Sequence, residues 1–143
     1  MKVIGLLLLV ASAPAFARQE PAPYSWMIKQ ATKDEKQPPR NAVYVWPWVK
    51  MPGSYKLKKG MTVAQLITAA GGLKLDERYP NIPDIQRPKT ISVYRPTSKE
   101  KDPVHSIYRC KLDWEKPEAG LAACDFILKK GDLVSVSMSP EVP

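Results

Sequence analysis

The sequence is short of the residues from which catalytic and metal sites are most often built. It has one histidine, His105, and two cysteines among its 143 residues. His105 lies beside a polar turn, with no motif that would supply a nucleophile or a metal partner, so we interpret it as a surface residue. A glycosidase needs two carboxylates held about 5 to 10 Å apart at a cleft, and spacing in sequence cannot show such a pair. We predict no enzyme, no metal site and no cofactor.

Concentrated positive charge is also lacking, although positive charge is in excess. The formal net charge is +8 at pH 7, and the basic residues are scattered as pairs and single residues. No run of five or six marks a nucleic-acid-binding arm, so nucleic acid is disfavoured as a partner. The surplus favours anionic partners such as acidic polysaccharide or lipid head groups, or it serves solubility alone.

Long apolar runs are absent except near the N-terminus. Residues 1–17 combine Lys2, an apolar run over residues 3–13 and an Ala-Phe-Ala triplet at 15–17, which is the layout of a signal peptide cleaved before Arg18. The run is about half of the roughly 20 residues that span a bilayer, and no cysteine follows the cleavage site to carry a lipid. We predict an exported chain, periplasmic or secreted, without a membrane span.

The two cysteines, Cys110 and Cys124, predict a disulfide in an exported chain. They lie 14 positions apart. Closing a loop of that size stabilises a fold by about 3 kcal/mol in the chain-entropy treatment. The alternative is two buried free thiols.

The remaining chain is predicted to hold one domain, over residues 41–138, followed by a tail at 139–143. Residues 18–40 are rich in proline, glutamine and lysine, with an apolar island that includes Trp26 and Ile28. This composition is typical of a flexible N-terminal arm. Within the arm, Trp26 and Ile28 either pack onto the domain as a tether, which is the alternative we favour, or serve as a recognition peptide.

The most informative stretch is 52–73. Pro-Gly at 52–53 predicts a type II turn before a short strand, and Thr62 with Gln65 three residues later predicts a capping box. The helix that follows ends at the glycines 71–72. Because a helix of about two turns is unstable alone, its apolar stripe must pack on a sheet. The stripe consists of Val63, Leu66, Ile67 and Ala70.

Residues 41–51 alternate with a period of two, as in a strand. One side should meet the helix and carries Val43, Val45, Pro47 and Val49; the other carries Tyr44, Trp46, Trp48 and Lys50. If no element covers the second side, its rings are placed to stack on sugars or apolar partners. The alternatives are that loops cover the rings as a second core, or that Pro47 breaks the alternation through a bulge. Tyr44, Trp46, Trp48 and Lys50 are the candidate ligand-binding residues.

Downstream, residues 74–89 contain several prolines, which predict a long loop without regular helix. Strands are predicted at 91–95 and 104–113, with a loop at 114–120. A glycine turn at 128–131 then leads into a last strand around 133–136.

These motifs resemble the soluble-ligand-binding β-grasp (SLBB) family, whose pattern runs V-x-V-x-G-x-V-x-x-P-G-x-Y, then L-x-x-G-x-T, then a helix closing in A-G-G. Pro47 stands where the family has glycine, which removes a backbone donor there. The family's closing L-x-x-G-D-x-V-x-V is matched over 128–136. The other matching positions are Val43, Val45, Val49, Pro52, Gly53, Tyr55, Leu57, Gly60, Thr62, Ala70, Gly71 and Gly72.

The resemblance implies an α+β fold: a single β-grasp domain with a mixed sheet of about five strands crossed by one short helix. It also implies a non-enzymatic binding module that contacts polysaccharide, another soluble anionic ligand or a polysaccharide export apparatus. The alternative is a structural module that self-associates or acts as an adaptor in an envelope complex. The family's lipid-anchoring cysteine is not matched, which argues against a pore-forming subunit.

Overall fold

Five strands form one mixed sheet in the computed structural model, which describes residues 23–139; the predicted signal peptide and nearly all of the C-terminal tail lie outside these residues. The sheet order is β2-β1-β5-β3-β4. The central pair, β1 and β5, is parallel, and the other neighbours are antiparallel. This confirms the predicted single α+β domain with a mixed sheet. The strands are β1 (Ala42–Pro47), β2 (Gly53–Lys56), β3 (Thr90–Tyr94), β4 (Tyr108–Lys111) and β5 (Leu133–Ser137).

The core lies between one face of this sheet and the predicted helix. Among the helices of the described residues, α1 is Pro23–Thr32, α2 is Val63–Ala69 and α3 is Pro83–Gln86. The apolar stripe of α2 packs against the valine side of β1, as predicted. The two apolar surfaces form one buried cluster, because their removal from water is favourable. Its fully buried members include Val43, Val45, Val49, Val63, Leu66, Ile67 and Ala70.

Both ends of α2 are fixed as the sequence predicts. The Thr62 hydroxyl accepts a hydrogen bond from the backbone N of Gln65 at 3.2 Å, and the Gln65 side chain accepts one from the backbone N of Thr62 at 3.0 Å. At the other end, Gly71 and Gly72 adopt φ values of +90° and +93°. The backbone N of Gly72 donates to the carbonyl of Ile67 at 2.9 Å, the 6→1 bond of a Schellman motif.

On the opposite face of the sheet, α1 packs on β1 and β2. Trp26 meets Trp46 edge to face, with ring centroids 5.2 Å apart. The Tyr24 hydroxyl donates to the carbonyl of Gly131 at 2.8 Å, and the Glu35 carboxylate accepts from the backbone N of Ser54 at 2.8 Å. Between residues 23 and 32, the segment predicted as a flexible arm is thus a packed helix, which is the tether alternative.

Several predicted boundaries are corrected. The first strand ends at Pro47, four residues early, and Gly53, with φ +146°, begins β2 instead of completing a type II turn. The loop at 74–89 contains α3, which starts at Pro83, where the missing N–H is not needed. The strand predicted at 104–113 is limited to β4, because its partner β3 ends at Tyr94 and earlier residues have no strand to pair with. Residues Pro117–Ala123, which we call the 3-10 segment, overlap the loop predicted at 114–120 and are kinked at Glu118, Ala119 and Gly120, whose φ values are positive.

The predicted disulfide between Cys110 and Cys124 is confirmed. The two Cα atoms are 5.7 Å apart, and both residues are buried in the core cluster. The bond ties the end of the 3-10 segment to the edge strand β4. Every helix within residues 23–139 is too short or too polar to cross a membrane.

A buried ion pair joins Arg95, directly after β3, to Asp132, directly before β5. The Asp132 side chain is fully buried and accepts from Arg95 Nε and Nη2, both at 2.8 Å, and from the backbone N of Lys129 at 2.8 Å. The two bonds between Arg95 and Asp132 raise the pKa of Arg95. The Asp132 carboxylate thus holds Arg95, the last residue of the strand predicted at 91–95.

Candidate functional site

The four predicted ligand-binding residues do not form one strip. Tyr44 and Trp46 are half-buried on the α1 side of the sheet, where Trp46 contacts Trp26. Trp48 lies beyond the end of β1 and packs against the core cluster, while Lys50 is exposed. The premise that no element covers the aromatic side is therefore wrong at Trp46. A role for these residues in ligand binding stays a prediction.

Trp48 departs from the alternation because the chain finds a new pairing partner after Pro47. Residues 48–51 run antiparallel to 70–74, with a bridge between Val49 and Leu73. The backbone N of Lys74 donates to the carbonyl of Trp48 at 2.9 Å, and the backbone N of Lys50 donates to that of Gly72 at 3.0 Å. This short ladder joins the end of β1 to the segment that follows α2.

The ladder requires glycine at position 71. A Cβ added to Gly71 would lie 3.0 Å from the Cβ of Lys50 and 3.3 Å from the methyl carbon of Met51. Its φ of +90° also disfavours other residues. The second glycine of the A-G-G sequence has a similar φ but no neighbour within 4 Å, so the first is the one that lets the two segments approach.

An open cleft of about 880 Å³ lies beside the ladder. We call it the α2 cleft, because the C-terminal end of α2 forms part of its wall. The loop after α2 and the 3-10 segment form the rest. The polar and aromatic residues that line it are Lys50, Thr68, Lys74, Glu77, Gln86, Trp114 and Glu118.

Trp114 is the aromatic group of this cleft, and it is held rigidly. Its indole Nε1 donates to the carbonyl of Pro88 at 2.6 Å, and the guanidinium of Arg87 lies over the ring, 5.4 Å from its centroid. Such a cation–π contact fixes the ring plane. Sequence reasoning missed Trp114 because it stands in a short charged loop without periodicity; the one available signal was an isolated tryptophan among charged residues.

The wall formed by residues 74–89 is braced by Asp76, which is 4% exposed. Its carboxylate accepts from Arg78 Nε at 2.8 Å and Nη2 at 2.5 Å, and its backbone N donates to the carbonyl of Gln86 at 2.7 Å. The side-chain bonds from Arg78 lower the pKa of Asp76 below its ordinary value of 3.8. The pair therefore holds Glu77 and Gln86 in place at the cleft.

Acid is expected to remove the stabilising contribution of Asp76. Because its pKa is lowered in the folded chain, the contribution is present above the ordinary value of 3.8 and is lost as the pH falls through the folded value. Urea titrations of the parent and of Asp76→Asn should differ by a constant free energy above about pH 5, and the difference should disappear only as the pH falls below 3.8. The exposed Asp84→Asn serves as control, and a difference that persists unchanged in acid would contradict the assignment.

The buried carboxylates are poor candidates for acid–base chemistry. Asp76 and Asp132 are the buried acids of residues 23–139, and each is bound by an arginine. The bonds from Arg78 lower the pKa of Asp76, so this carboxylate is ionised and cannot donate a proton near neutral pH. Nor does this part of the chain contain a group of three or more histidine, cysteine, aspartate or glutamate residues able to hold a metal ion.

Comparison with protein-family models matches the SLBB domain to residues 47–82, about a quarter of the chain. No curated protein and no solved structure gives a match. The matched segment contains the ladder, α2 and the cleft wall as far as Glu77. SLBB domains are binding modules, common in polysaccharide export proteins, and not an enzyme family. Residues 47–82 therefore match the family that the sequence motifs resemble, and we call them the SLBB segment.

Proposed function

We propose that the protein is an exported, non-enzymatic binding module whose α2 cleft contacts polysaccharide, either free or held by a polysaccharide export apparatus. One observation carries the proposal: residues of the SLBB segment, including Lys50 and Lys74, line a single open cleft with Trp114 in its wall. Sugar rings present an apolar face to an aromatic side chain and hydroxyl groups to polar ones. The cleft offers both kinds of contact.

The charges of the cleft favour hydroxyl recognition over the capture of strongly charged groups. Lys50 and Lys74 are balanced by Glu77 and Glu118. The two lysines can donate hydrogen bonds to sugar hydroxyls and the two glutamates can accept them. Together, two positive and two negative charges produce little net attraction for an anion. The anionic preference expected from the net charge of +8 must therefore arise elsewhere on the surface.

Replacing Trp114 with alanine is expected to weaken oligosaccharide binding about tenfold or more, because aromatic anchors in clefts dominate binding energy. A glycan array of the mature protein would identify the oligosaccharide, and calorimetric titration would measure the loss. Trp114→Phe keeps a ring and should retain part of the affinity. Trp26→Ala, on the α1 side of the sheet, is the matched control, and thermal melts report the folded fraction.

The same titrations test the aromatic residues of β1. Normal binding by a folded Trp114→Ala variant would contradict the cleft assignment. If Trp46→Ala then abolished binding without lowering the melting temperature, the site would lie at Tyr44 and Trp46 instead. The contact of Trp46 with Trp26 leads us to expect the reverse, a lower melting temperature with little change in binding.

The periplasm or the cell exterior is the proposed location. A disulfide such as Cys110–Cys124 persists in oxidising compartments and is rare in the cytosol. Fractionation of cells that express the full chain, followed by alkylation of free thiols, would test this. Cytoplasmic protein with both thiols reactive would contradict it.

An adaptor or self-associating role is the second candidate, and it is favoured by three exposed apolar side chains in the loop after α2. Tyr79, Ile82 and Ile85 are 39%, 46% and 48% exposed, and clustered apolar groups of this kind often mark protein contacts. Light scattering over a range of concentrations would decide this. Association that Ile82→Ser and Ile85→Ser abolish would favour this role over glycan binding.

A further inference from the structure

A second cavity, of about 520 Å³, lies where the chain enters β1 and the turn before β5. We call it the β1–β5 cavity. It exists because these strands are parallel neighbours, so that their N-terminal ends lie side by side. The backbone N of Gly131 donates to the carbonyl of Ala42 at 2.8 Å, and that of Tyr44 donates to the carbonyl of Asp132 at 2.9 Å. Residues almost ninety positions apart in sequence thereby share one cavity wall.

Besides Asn41, three polar side chains line this cavity, and these three have no partner within the described chain. Arg40 and Lys130 are exposed, and Tyr44 is half-buried. Over residues 23–139, none of the three side chains makes a hydrogen bond or an ion pair with another residue. No acidic residue lines the cavity. Two cationic groups and a hydroxyl are thus left available around one concave surface.

The acid that acts on Tyr44 does not neutralise the cavity. Glu35 acts on Tyr44 electrostatically, but its carboxylate is occupied by the backbone N and the hydroxyl of Ser54. Burial first, and the Glu35 charge second, raise the pKa of Tyr44 above its ordinary value of 10.0. The phenol therefore keeps its proton at neutral pH and can donate a hydrogen bond.

We propose that the β1–β5 cavity binds one oxyanion group of an acidic saccharide. Arg40 provides a planar fork that matches an oxyanion, Lys130 a compact positive charge, and Tyr44 a neutral donor. The site lies outside the α2 cleft and deepens the proposed function, on which it rests for the class of molecule that carries the anion. Carboxylate and sulfate groups share the required chemistry with phosphate, so the test compares these sources.

The test is a titration of the mature full chain with glucuronate, a sulfated monosaccharide, inorganic phosphate and, as the neutral control, glucose. We expect the two acidic sugars to bind and glucose not to bind at this site, with shifts of the Tyr44 signals in NMR spectra. Arg40→Gln and Lys130→Gln should each weaken binding about tenfold, the effect of losing one charge-assisted hydrogen bond. Lys129→Gln removes an exposed charge next to Lys130 but outside the cavity. It should change the affinity less than twofold, because salt screens the interaction of an exposed charge with a ligand that it does not contact.

Unchanged affinity for the acidic sugars in the Arg40→Gln/Lys130→Gln double variant would overturn the site. Binding of phosphate without either acidic sugar would overturn the saccharide assignment. These failures are distinct from failure of the proposed function, because neutral oligosaccharide binding depends on Trp114 and is measured separately. The three substituted residues, Arg40, Lys129 and Lys130, are exposed, so the variants are expected to fold, and thermal melts verify this.

Discussion

Replacing Asp132 with alanine is expected to lower the free energy of unfolding by about 3–5 kcal/mol, the usual cost of removing one partner of a buried ion pair. Arg95, whose side chain is 22% exposed, would lose both of its 2.8 Å bonds to the carboxylate. The backbone N of Lys129 would lose its acceptor as well. Urea unfolding at neutral pH measures the effect directly.

The matched control removes both charges at once. In an Arg95→Met/Asp132→Leu double variant no ionised group is left unpaired, so a large part of the lost stability should return. The double-mutant cycle separates the interaction energy between Arg95 and Asp132 from the cost of leaving one of these charges buried without its partner. A single Asp132→Ala variant as stable as the parent would mean that Arg95 is hydrated in solution and that the pair does not hold the sheet.

Replacing Leu66 with alanine is expected to cost about 2–5 kcal/mol, because it leaves a cavity in a closely packed core. Leu66 is 0% exposed and lies in the cluster between α2 and the valine side of β1. The sheet is fixed by strand pairing on both sides of β1, so the surrounding atoms have little room to collapse into the space. Denaturant titration and calorimetry are the measurements.

A cap substitution in the same helix provides the comparison. Thr62→Ala removes the capping-box hydroxyl but no core atoms, and it should cost only about 1 kcal/mol. Both variants act on α2, so a shared loss of the helix would make the two costs equal. A Leu66→Ala variant no less stable than Thr62→Ala would place the core of the domain elsewhere.

Local signals made α2 and its surroundings predictable. The capping box of Thr62 and Gln65, the apolar stripe and the two glycines each act within a few residues, and their geometry follows from backbone chemistry alone. The disulfide was predictable for a similar reason, since Cys110 and Cys124 were the only available pair. Alternation identified Val43 and Val45 as core residues because the first strand is buried on one side.

Tertiary contacts decided the features that were missed. The helix Pro23–Thr32 is too short to be stable alone and depends on packing against the sheet, including the contact between Trp26 and Trp46. Trp48 does not lie on the predicted aromatic side, because β1 ends at Pro47 and residues 48–51 pair with residues 70–74 instead. Short-range patterns carry no information about either partner.

The candidate sites were predictable only in part, for the same reason. Lys50 and Tyr44 were identified from alternation, and each lines a cavity, but they line different ones. Trp114 reaches the α2 cleft through the folding of the 3-10 segment region, and Lys130 reaches Tyr44 through the parallel pairing of β1 with β5. Both approaches are set by the topology of the sheet.

The parallel pairing of the first and last strands also determines how the domain responds to mechanical force. Tyr44 to Pro47 lie in register with Leu133 to Val136, so tension between the two ends of the chain, once α1 has detached, pulls β1 and β5 along their length in opposite directions. All hydrogen bonds between the two strands are then loaded together in shear, whereas a terminal hairpin would open one bond at a time. Forced unfolding is governed by the unfolding rate, and the domain should therefore withstand stretching better than its equilibrium stability alone would indicate.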